Sequence, residues 1–308
     1  MRRVEHLLLQ IRRHTENVQQ SATDGITDLE LIEALNNAQE SMTARIHMTN
    51  NKLLADELEY TSVASQEAYD LPFNIFSNSH IIDMSWATSG AYADLISLEK
   101  VGFKERIRDT GYPSKYILKG SKVLFNRIPQ ASGELGVMTF NPRLPRLDRR
   151  SGQVTVATLD TVTKTITTLT LSSAITPTLA NAYFDQTDYL TVVDRDGTIK
   201  MKSIPIDSVD TGTGVVTVAA GFVYATGETI AVGDYVCLGK YASTHSQLPE
   251  TCERFLLAFG YKRVFLRDCS DDYLLQSKEL QEMMDEITEV IGMESSDVEY
   301  IPLLDTDF

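Results

Sequence analysis

A block rich in Thr, Val and Ile, residues 151–240, constrains the fold of this chain more than any other feature. Short segments within it, such as residues 153–156 and 164–167, alternate apolar and polar side chains as half-buried strands do. Turn sequences rich in Asp and Gly, at residues 194–197 and 210–214, separate these segments. Short strands at regular spacing predict a small all-β barrel or sandwich. Because the flanking sequence differs in composition, we interpret the block as an inserted domain.

The two ends of the chain have the pattern of helices. In residues 1–58, Thr27 and Glu30 fit a capping box, in which their side chains satisfy free backbone N–H groups at the start of a helix. Apolar residues then recur at steps of three and four. In residues 241–294, Pro249 suits a first helical position, and similar spacing predicts a helical hairpin. We expect these end segments to form a helix bundle.

The remaining parts of the chain are a β-rich region and a short tail. Residues 59–150 contain strand-like segments and a hairpin turn at residues 119–121. Residues 295–308 are too short to form a core of their own, and we expect an extended tail. The predicted fold class is therefore α+β, with helical N- and C-terminal segments around a β region and a separate small all-β barrel or sandwich insertion.

The charge of the chain is strongly negative and unevenly placed. The 308 residues carry a formal net charge of −15. Residues 241–308 alone contain 5 Lys and Arg against 15 Asp and Glu. Because wrapping DNA requires many cations that neutralise phosphates, this composition argues against a DNA-wrapping protein. It is compatible with a wall past which DNA slides.

Cysteine usage and apolar runs favour a reducing, aqueous environment. The chain has 3 Cys, an odd number at wide spacing, which favours buried reduced thiols over disulfides or a metal site. No run approaches the roughly 20 apolar residues of a membrane-spanning helix, so we expect no membrane partner.

The sequence contains none of the common active-site signatures. A phosphate-binding loop, a dinucleotide fingerprint and the HExxH and GxSxG patterns are all absent. His6 and His14 could share one helix face, but no third ligand lies nearby in the sequence. Residues 194–197 lack the ligand pattern of a calcium loop, and the carboxylates at residues 268–272 are more simply helix caps. We therefore expect no catalytic residue, no cofactor and no metal.

A basic stretch joins the β-rich region to the insertion. Its candidate contact residues are Arg143, Arg146, Arg149 and Arg150. Neighbouring prolines make the stretch extended and stiff, and guanidinium groups bind phosphates and carboxylates well. Two interpretations stay open. The arginines either contact a partner or channel contents, or they form a solvated linker.

Several stretches in order resemble the head-to-tail adaptor, or connector, family of tailed bacteriophages. They are TDLELIEALNNAQ at residues 27–39, YDLP at 69–72, YPSKYIL at 112–118, IPQASGEL at 128–135 and LPETCERFL at 248–256. None is sharp alone, and their order carries the resemblance. The blocks that contain them cover about half of the chain.

The resemblance implies a structural function and no enzyme activity. Members of that family form a ring, a dodecamer, beneath the portal protein of the capsid. The ring extends the DNA channel and docks the tail tube, nozzle or other tail proteins. The resemblance therefore implies a virion protein of the head–tail junction, assembled in the host cytoplasm, with genomic DNA passing through its lumen without sequence-specific binding. It also implies that the C-terminal tail binds the portal, through Tyr300, Ile301, Pro302, Leu303, Leu304 and Phe308.

Two other functions compete with this one. The chain could be another virion structural subunit, associated with a tail, baseplate or fibre, whose β insertion binds a ligand. It could also be a hydrolase with a site assembled from residues distant in sequence. The absence of a recognisable nucleophile and base weakens the hydrolase.

Overall fold

The structure, a computed structural model, describes residues 3–15, 26–77, 80–105, 109–160, 162–172, 188–210, 212–224, 229–267 and 272–296. In these residues the protein is a mixed fold of 4 α-helices and 16 strands. The helices are α1 (Val4–His14), α2 (Asp28–Thr49), α3 (Glu253–Arg267) and α4 (Asp272–Ser296). No helix among the described residues is both long and apolar enough to span a membrane.

The strands fall into two groups along the chain. The first group is β1 (Asp56–Thr61), β2 (Ala68–Asp70), β3 (Ile81–Ala87), β4 (Ile96–Ser97), β5 (Glu99–Lys100), β6 (Lys115–Lys119), β7 (Lys122–Phe125) and β8 (Leu135–Phe140). The second group is β9 (Arg146–Leu147), β10 (Gly152–Asp160), β11 (Thr165–Leu171), β12 (Tyr189–Val193), β13 (Ile199–Asp210), β14 (Val215–Val218), β15 (Tyr235–Leu238) and β16 (Ala242–Ser243).

The chain forms two compact units. The barrel unit comprises Met1–Met42 and Leu144–Ile287. The two-sheet unit comprises Thr43–Arg143 and Thr288–Phe308. The chain therefore passes between the units three times, within α2, between Arg143 and Leu144, and within α4. The domain boundaries expected from the sequence stay a prediction.

The inserted block is a closed barrel of six strands, ordered β10-β11-β14-β13-β12-β15. All neighbours are antiparallel, and Gly152 pairs with Val236 where the barrel closes. Of the two architectures that the sequence left open, the barrel is thus confirmed. Every second residue of each strand points into the barrel. The residues at these positions are almost all aliphatic, and so is the buried core. The core residues are Val154, Ile166, Leu169, Leu171, Leu190, Val192, Met201, Ile204, Val216, Val218, Tyr224, Val236 and Leu238.

Two hairpins of the barrel share one turn design. β10 and β11, like β13 and β14, are joined by a turn that begins with an Asp, Asp160 or Asp210. The carboxylate accepts hydrogen bonds from the backbone N–H groups of the second and third residues that follow. Each turn ends in a left-handed residue, Lys164 with φ 56° and Gly214 with φ 71°. Each carboxylate accepts hydrogen bonds, which lower the pKa of Asp160 and Asp210.

The chain enters and leaves the barrel at one place. β9, just before the barrel, pairs in parallel with β16, just after it, through Arg146 and Ala242 and through Leu147 and Ser243. Both ends of the barrel segment therefore lie side by side, as expected for an insertion.

The helices of the barrel unit begin and pack as the local sequence predicts. Thr27 N donates to Glu30 Oε2 at 2.8 Å and Glu30 N donates to Thr27 Oγ1 at 3.2 Å, so the predicted capping box is confirmed. α1 packs closely on α3, because a Cβ at Gly260 would overlap the side chain of Ile11. The wider helix bundle stays a prediction.

The two-sheet unit has two open sheets around an aromatic core. Their strand orders are β1-β8-β3-β4 and β2-β7-β6-β5. The core residues are Tyr60, Tyr69, Met84, Trp86, Leu98, Tyr116, Val123, Phe125, Met138 and Phe140. Trp86 Nε1 donates to the buried Glu134 Oε2 at 3.0 Å. Gly136 leaves room for the Trp86 ring, since a Cβ there would lie 2.7 Å from it.

Candidate partner-contact site at the arginine segment

The main chain of the arginine segment, residues 143–150, makes hydrogen bonds on both sides. Residues 144–150 of the segment belong to the barrel unit. Besides the β9–β16 pairing, Asn36 of α2 exchanges two hydrogen bonds with Leu147, at 3.0 and 2.8 Å. Gln39 Nε2 donates to the carbonyl of Pro145 at 2.8 Å. Two amide side chains on one face of α2 thus make the hydrogen bonds that a neighbouring strand would otherwise make. The segment is extended, as its prolines predicted, but it is fixed rather than a loose linker.

Arg149 is part of an ion cluster at the start of α2. Its Nη1 lies 2.8 Å from Asp28 Oδ2, and Arg12 of α1 binds the other oxygen of the same carboxylate. Arg12 also donates to the carbonyl of Ile26 at 3.0 Å. Asp28 and Arg12 are largely buried, so this cluster gains more from its hydrogen bonds than an exposed pair would. The cluster ties α1, the start of α2 and the arginine segment together.

Arg150 faces a small pocket at the base of the barrel. Its Nε lies 3.1 Å from Glu5 Oε1, and its guanidinium lies 5.7 Å from the ring centre of Tyr235. Arg3 Nη1 donates to the hydroxyl of the same Tyr235 at 3.2 Å. Asp148 lines the pocket beside these groups. Arg150 therefore contacts both α1 and the barrel.

The carboxyl group of Asp148 is the most perturbed acid of this region. Burial raises the pKa of Asp148 to about 6, against the lowering effects of the Arg149 backbone N–H and of the charges on Arg146 and Arg149. Its proton equilibrium therefore lies close to neutral pH. The hydroxyl-bearing residues Tyr235 and Thr244 line the same pocket.

The other two arginines have exposed side chains. Arg146 lies at the start of β9, and its backbone N–H donates to the carbonyl of Tyr241 at 3.0 Å. Arg143 belongs to the two-sheet unit, where its backbone N–H donates to Asn74. All four arginines are thus exposed, and Arg149 and Arg150 in addition make ion pairs with Asp28 and Glu5. Whether any of the four contacts a partner stays a prediction.

The six candidate portal contacts, Tyr300, Ile301, Pro302, Leu303, Leu304 and Phe308, lie outside the described residues.

Among the described residues, no group of three or more His, Cys, Asp or Glu could hold a metal ion. His6 is exposed on α1, and His14 stacks on Tyr261 with 4.2 Å between ring centres. Cys237 and Cys252 are buried free thiols, and burial raises the pKa of Cys237.

Sequence reasoning missed a second surface on the barrel, the cation–aromatic platform of Arg146, Tyr189, Lys202, Lys240 and Tyr241. Lys240 Nζ lies 4.4 Å from the ring centre of Tyr189, and Lys202 Nζ lies 5.6 Å from that of Tyr241. These residues lie far apart in the sequence and match no motif. Only the pairing of β12, β13, β9 and β16 brings them together.

Neither a scan against protein-family models nor a search of curated proteins found a match to this chain.

Proposed function

We propose that this chain is a structural protein of a tailed-phage virion, a head-to-tail adaptor that forms a ring beneath the portal, extends the DNA channel and docks the tail. The geometry of the insertion is the observation that carries this proposal. Because β9 and β16 pair side by side, the chain enters and leaves the barrel at one place, as it would for an accessory domain.

The stretches that resemble the adaptor family all lie outside the strands of the barrel. They cover the start of α2, the end of β2, the region of the β6–β7 hairpin and the start of α3. None of them lies in the barrel. An adaptor whose ring is formed by the residues outside the barrel would have this distribution. The closed barrel would then sit at the outer rim or the tail-facing side of the ring.

The finer architecture follows from the same proposal. The terminal helices form a bundle that lines or buttresses the ring, and the close packing of α1 on α3 supports this arrangement. The excess of Asp and Glu over Lys and Arg in residues 241–308 suits a channel that DNA passes without being gripped, since like charges repel. The partners are then further copies in a ring, a dodecamer in the family, the portal, tail tube or nozzle proteins, and DNA in the lumen.

The C-terminal tail would bind the portal. Its apolar side chains, Tyr300, Ile301, Pro302, Leu303, Leu304 and Phe308, occupy a segment too short for its own core. Each large side chain that becomes fully buried on the portal contributes roughly 1.5–3 kcal/mol. Ordering the tail offsets part of that gain.

Negative-stain microscopy with purified portal rings from the same genome tests the proposal. The full chain should add an ordered ring layer, and a chain truncated after Met293 should not. A full-length variant with Tyr300, Leu303, Leu304 and Phe308 replaced by Ser is the matched control, because it keeps the length and the acidic residues. If the full chain adds no layer at any concentration, the adaptor function is wrong.

The platform on the barrel favours one second candidate, a virion subunit of the tail, baseplate or fibre whose barrel binds a ligand. Tyr189 and Tyr241 of the platform are half-buried beneath cations, and aromatic rings beside cations occur in ligand-binding surfaces. In that case the full chain should bind host cell envelopes and should ignore portal rings. Binding to both would place the barrel on an adaptor that also contacts the host.

A further inference from the structure

We infer that the cation–aromatic platform of one copy docks onto the acidic face of α4 of a second copy, as a head-to-tail contact between ring subunits. The acidic face consists of Glu279, Glu282, Asp285 and Glu286. This inference rests on the proposed ring function and names the surfaces through which neighbouring copies meet.

A β-bulge builds the platform. In the ladder of β12 and β13, Val192 pairs with Met201 but Leu190 pairs with Ile204, so β13 contains one extra residue there. Ser203, in the bulge, has φ 57°, a left-handed conformation that is strained for a residue with a Cβ. Bulges of this kind redirect the side chains beside them. The extra residue therefore sets the direction of Lys202.

The strained serine also fixes the second cation. Ser203 N and Oγ both donate to the carbonyl of Lys240, at 3.0 and 3.1 Å. Lys240 then lies over the ring of Tyr189, and Lys202 lies over the ring of Tyr241. Ammonium groups over aromatic rings keep their charge and lose part of their freedom. The platform thus presents positioned cations at the surface of a chain with net charge −15.

Arg146 extends the platform at its edge. Its backbone N–H donates to the carbonyl of Tyr241, and its side chain is exposed. The arginine segment and the barrel therefore contribute to one basic surface. Arg146 thus belongs to the platform, whereas Arg149 and Arg150 pair with Asp28 and Glu5.

The acidic face of α4 carries a charge opposite to that of the platform. Its four carboxylate side chains recur at steps of three and four, so that several lie on one side of the helix and all are exposed. Glu282 is 3.6 Å from Lys278 and Glu286 is 3.4 Å from Arg254. Both ion pairs are exposed, and such pairs contribute about 0–1 kcal/mol, so a partner can replace them at little cost.

A second copy is the occupant that these charges favour. A nucleic acid would need many cations along its phosphates, whereas the carboxylates of one helix face need only the three cations of the platform. Two different surfaces that fit each other make a heterologous contact, and repetition of such a contact closes a ring when the angle between subunits allows it. Opposite charges also select the correct partner surface and speed its encounter.

Sedimentation velocity tests the contact with a charge swap. One variant carries Lys202→Glu and Lys240→Glu, and another carries Glu279→Lys and Glu282→Lys. The wild-type chain should self-associate at low salt, roughly 0.05 M, and dissociate toward roughly 0.5 M. Each variant alone should weaken self-association by at least about tenfold. A mixture of the two should associate again, because the reversed surfaces match.

Lys164→Glu is the matched control. Lys164 also lies over a tyrosine, with its Nζ 5.8 Å from the ring centre of Tyr224, but outside the platform. This variant should self-associate as the wild type does. Circular dichroism of each variant shows whether it folds, and restored association in the mixture would itself show that both variants are folded.

Three outcomes would overturn the inference. They are a wild-type chain that stays monomeric at its highest soluble concentration, variants that self-associate as the wild type does, and folded variants whose mixture does not associate. Loss of association on truncation after Met293 would also overturn it, because the tail would then be the occupant. If the charge variants still add a ring layer to portals, the adaptor function stands and only this contact is wrong.

Discussion

The barrel and the two open sheets satisfy their strand edges in different ways. Closure at Gly152 and Val236 leaves the barrel without an edge, and its core is almost wholly aliphatic. The two-sheet unit keeps four edge strands, β1, β4, β2 and β5, around a core rich in aromatic rings. Exposed edges invite pairing with other chains, and proteins shorten or charge them. Here β4 and β5 have 2 residues each and β1 carries acidic residues.

This difference predicts which kinds of substitution destabilise each region. In a closed barrel many similar aliphatic contacts share the stabilisation, and backbone pairing is complete by closure. In the open sheets, a few specific polar groups complete the core, such as Glu134 beneath Trp86 and His47 against Pro142. We therefore expect single polar substitutions to damage the two-sheet unit more than the barrel.

The largest expected effect separates the two cores. Trp86→Ala should cost the two-sheet unit about 3–5 kcal/mol, and Leu190→Ala should cost the barrel about 2–5 kcal/mol. Hydrogen exchange followed by mass spectrometry reports each region by its own peptides. Each variant should lose protection chiefly in its own region. Equal loss in both regions for either variant would show that the two cores do not respond separately.

A smaller effect is expected at the polar anchor of the aromatic core. Glu134→Ala leaves the buried Trp86 N–H without an acceptor, which costs about 1–3 kcal/mol. Glu134→Gln keeps a carbonyl oxygen and should recover most of this loss. Urea unfolding followed by Trp86 fluorescence, the signal of the only Trp, measures both. If the Gln variant is as unstable as the Ala variant, charge and not the hydrogen bond is what matters.

Acid should weaken the two-sheet unit through His47. His47 Nε2 lies 3.1 Å from the carbonyl of Pro142, and the His47 ring packs against Phe76 and His80. Burial lowers the pKa of His47, the hydrogen bond to Pro142 opposes this, and the charge of His80 adds to it. The unfolded chain therefore binds a proton that the folded chain resists, so stability falls as the pH drops below about 6.5.

Unfolding at several pH values measures this effect. The slope due to His47 should not exceed about 1.4 kcal/mol per pH unit, and His47→Gln should flatten it. Burial also lowers the pKa of His245, whose ring packs against Tyr235 of β15, so peptides of β15 should lose protection in acid in the wild type and in His47→Gln alike. An unchanged slope in the His47→Gln variant would assign the acid sensitivity to another group.

Reciprocal substitutions in the two related turns should give changes of about 1 kcal/mol or less in the barrel. Lys164 and Gly214 hold the same left-handed position, which glycine adopts without strain. Lys164→Gly should therefore be neutral or stabilising, and Gly214→Ala should be destabilising. Thermal unfolding of both variants decides this. A Lys164→Gly variant as unstable as Gly214→Ala would contradict the equivalence of the turns.

The smallest effect on stability is expected at an edge strand. Glu57 is exposed on β1, and Glu57→Val should change the free energy of unfolding by less than about 0.5 kcal/mol. It should nevertheless increase aggregation, because a charge that protects the edge is lost. Thr167→Val, on an exposed position of β11, is the control in the closed barrel. Light scattering should rise for Glu57→Val alone.

Local patterns predicted most of the elements. The capping box of Thr27 and Glu30, the alternating strands of the barrel and the hairpin of β6 and β7 all depend on neighbours within a few residues. For this reason the mixed content of helices and strands and the β structure of residues 151–240 were readable in advance. The choice between barrel and sandwich was not, because it depends on whether the first and last strands pair.

The functions of the arginines were equally hidden. Their spacing predicted an extended basic stretch, and both a contact surface and a linker were consistent with it. The ion pairs of Arg149 with Asp28 and of Arg150 with Glu5 join residues more than a hundred positions apart. No local signal marks Asp28 or Glu5 as their partners. The platform of Lys202 and Lys240 depends in the same way on a bulge that no sequence pattern announces.

The sequence by itself determined the helices, the hairpins and their turns, and the strongly acidic C-terminal part. These follow from side-chain periodicity and backbone preferences, which act over three or four residues. The tertiary structure alone decided the closure of the barrel, the adjacency of β9 and β16, and the ion pairs of Arg149 with Asp28 and of Arg150 with Glu5. Such contacts form only when strand register and helix packing bring distant residues together, because many long-range pairings satisfy the same local pattern.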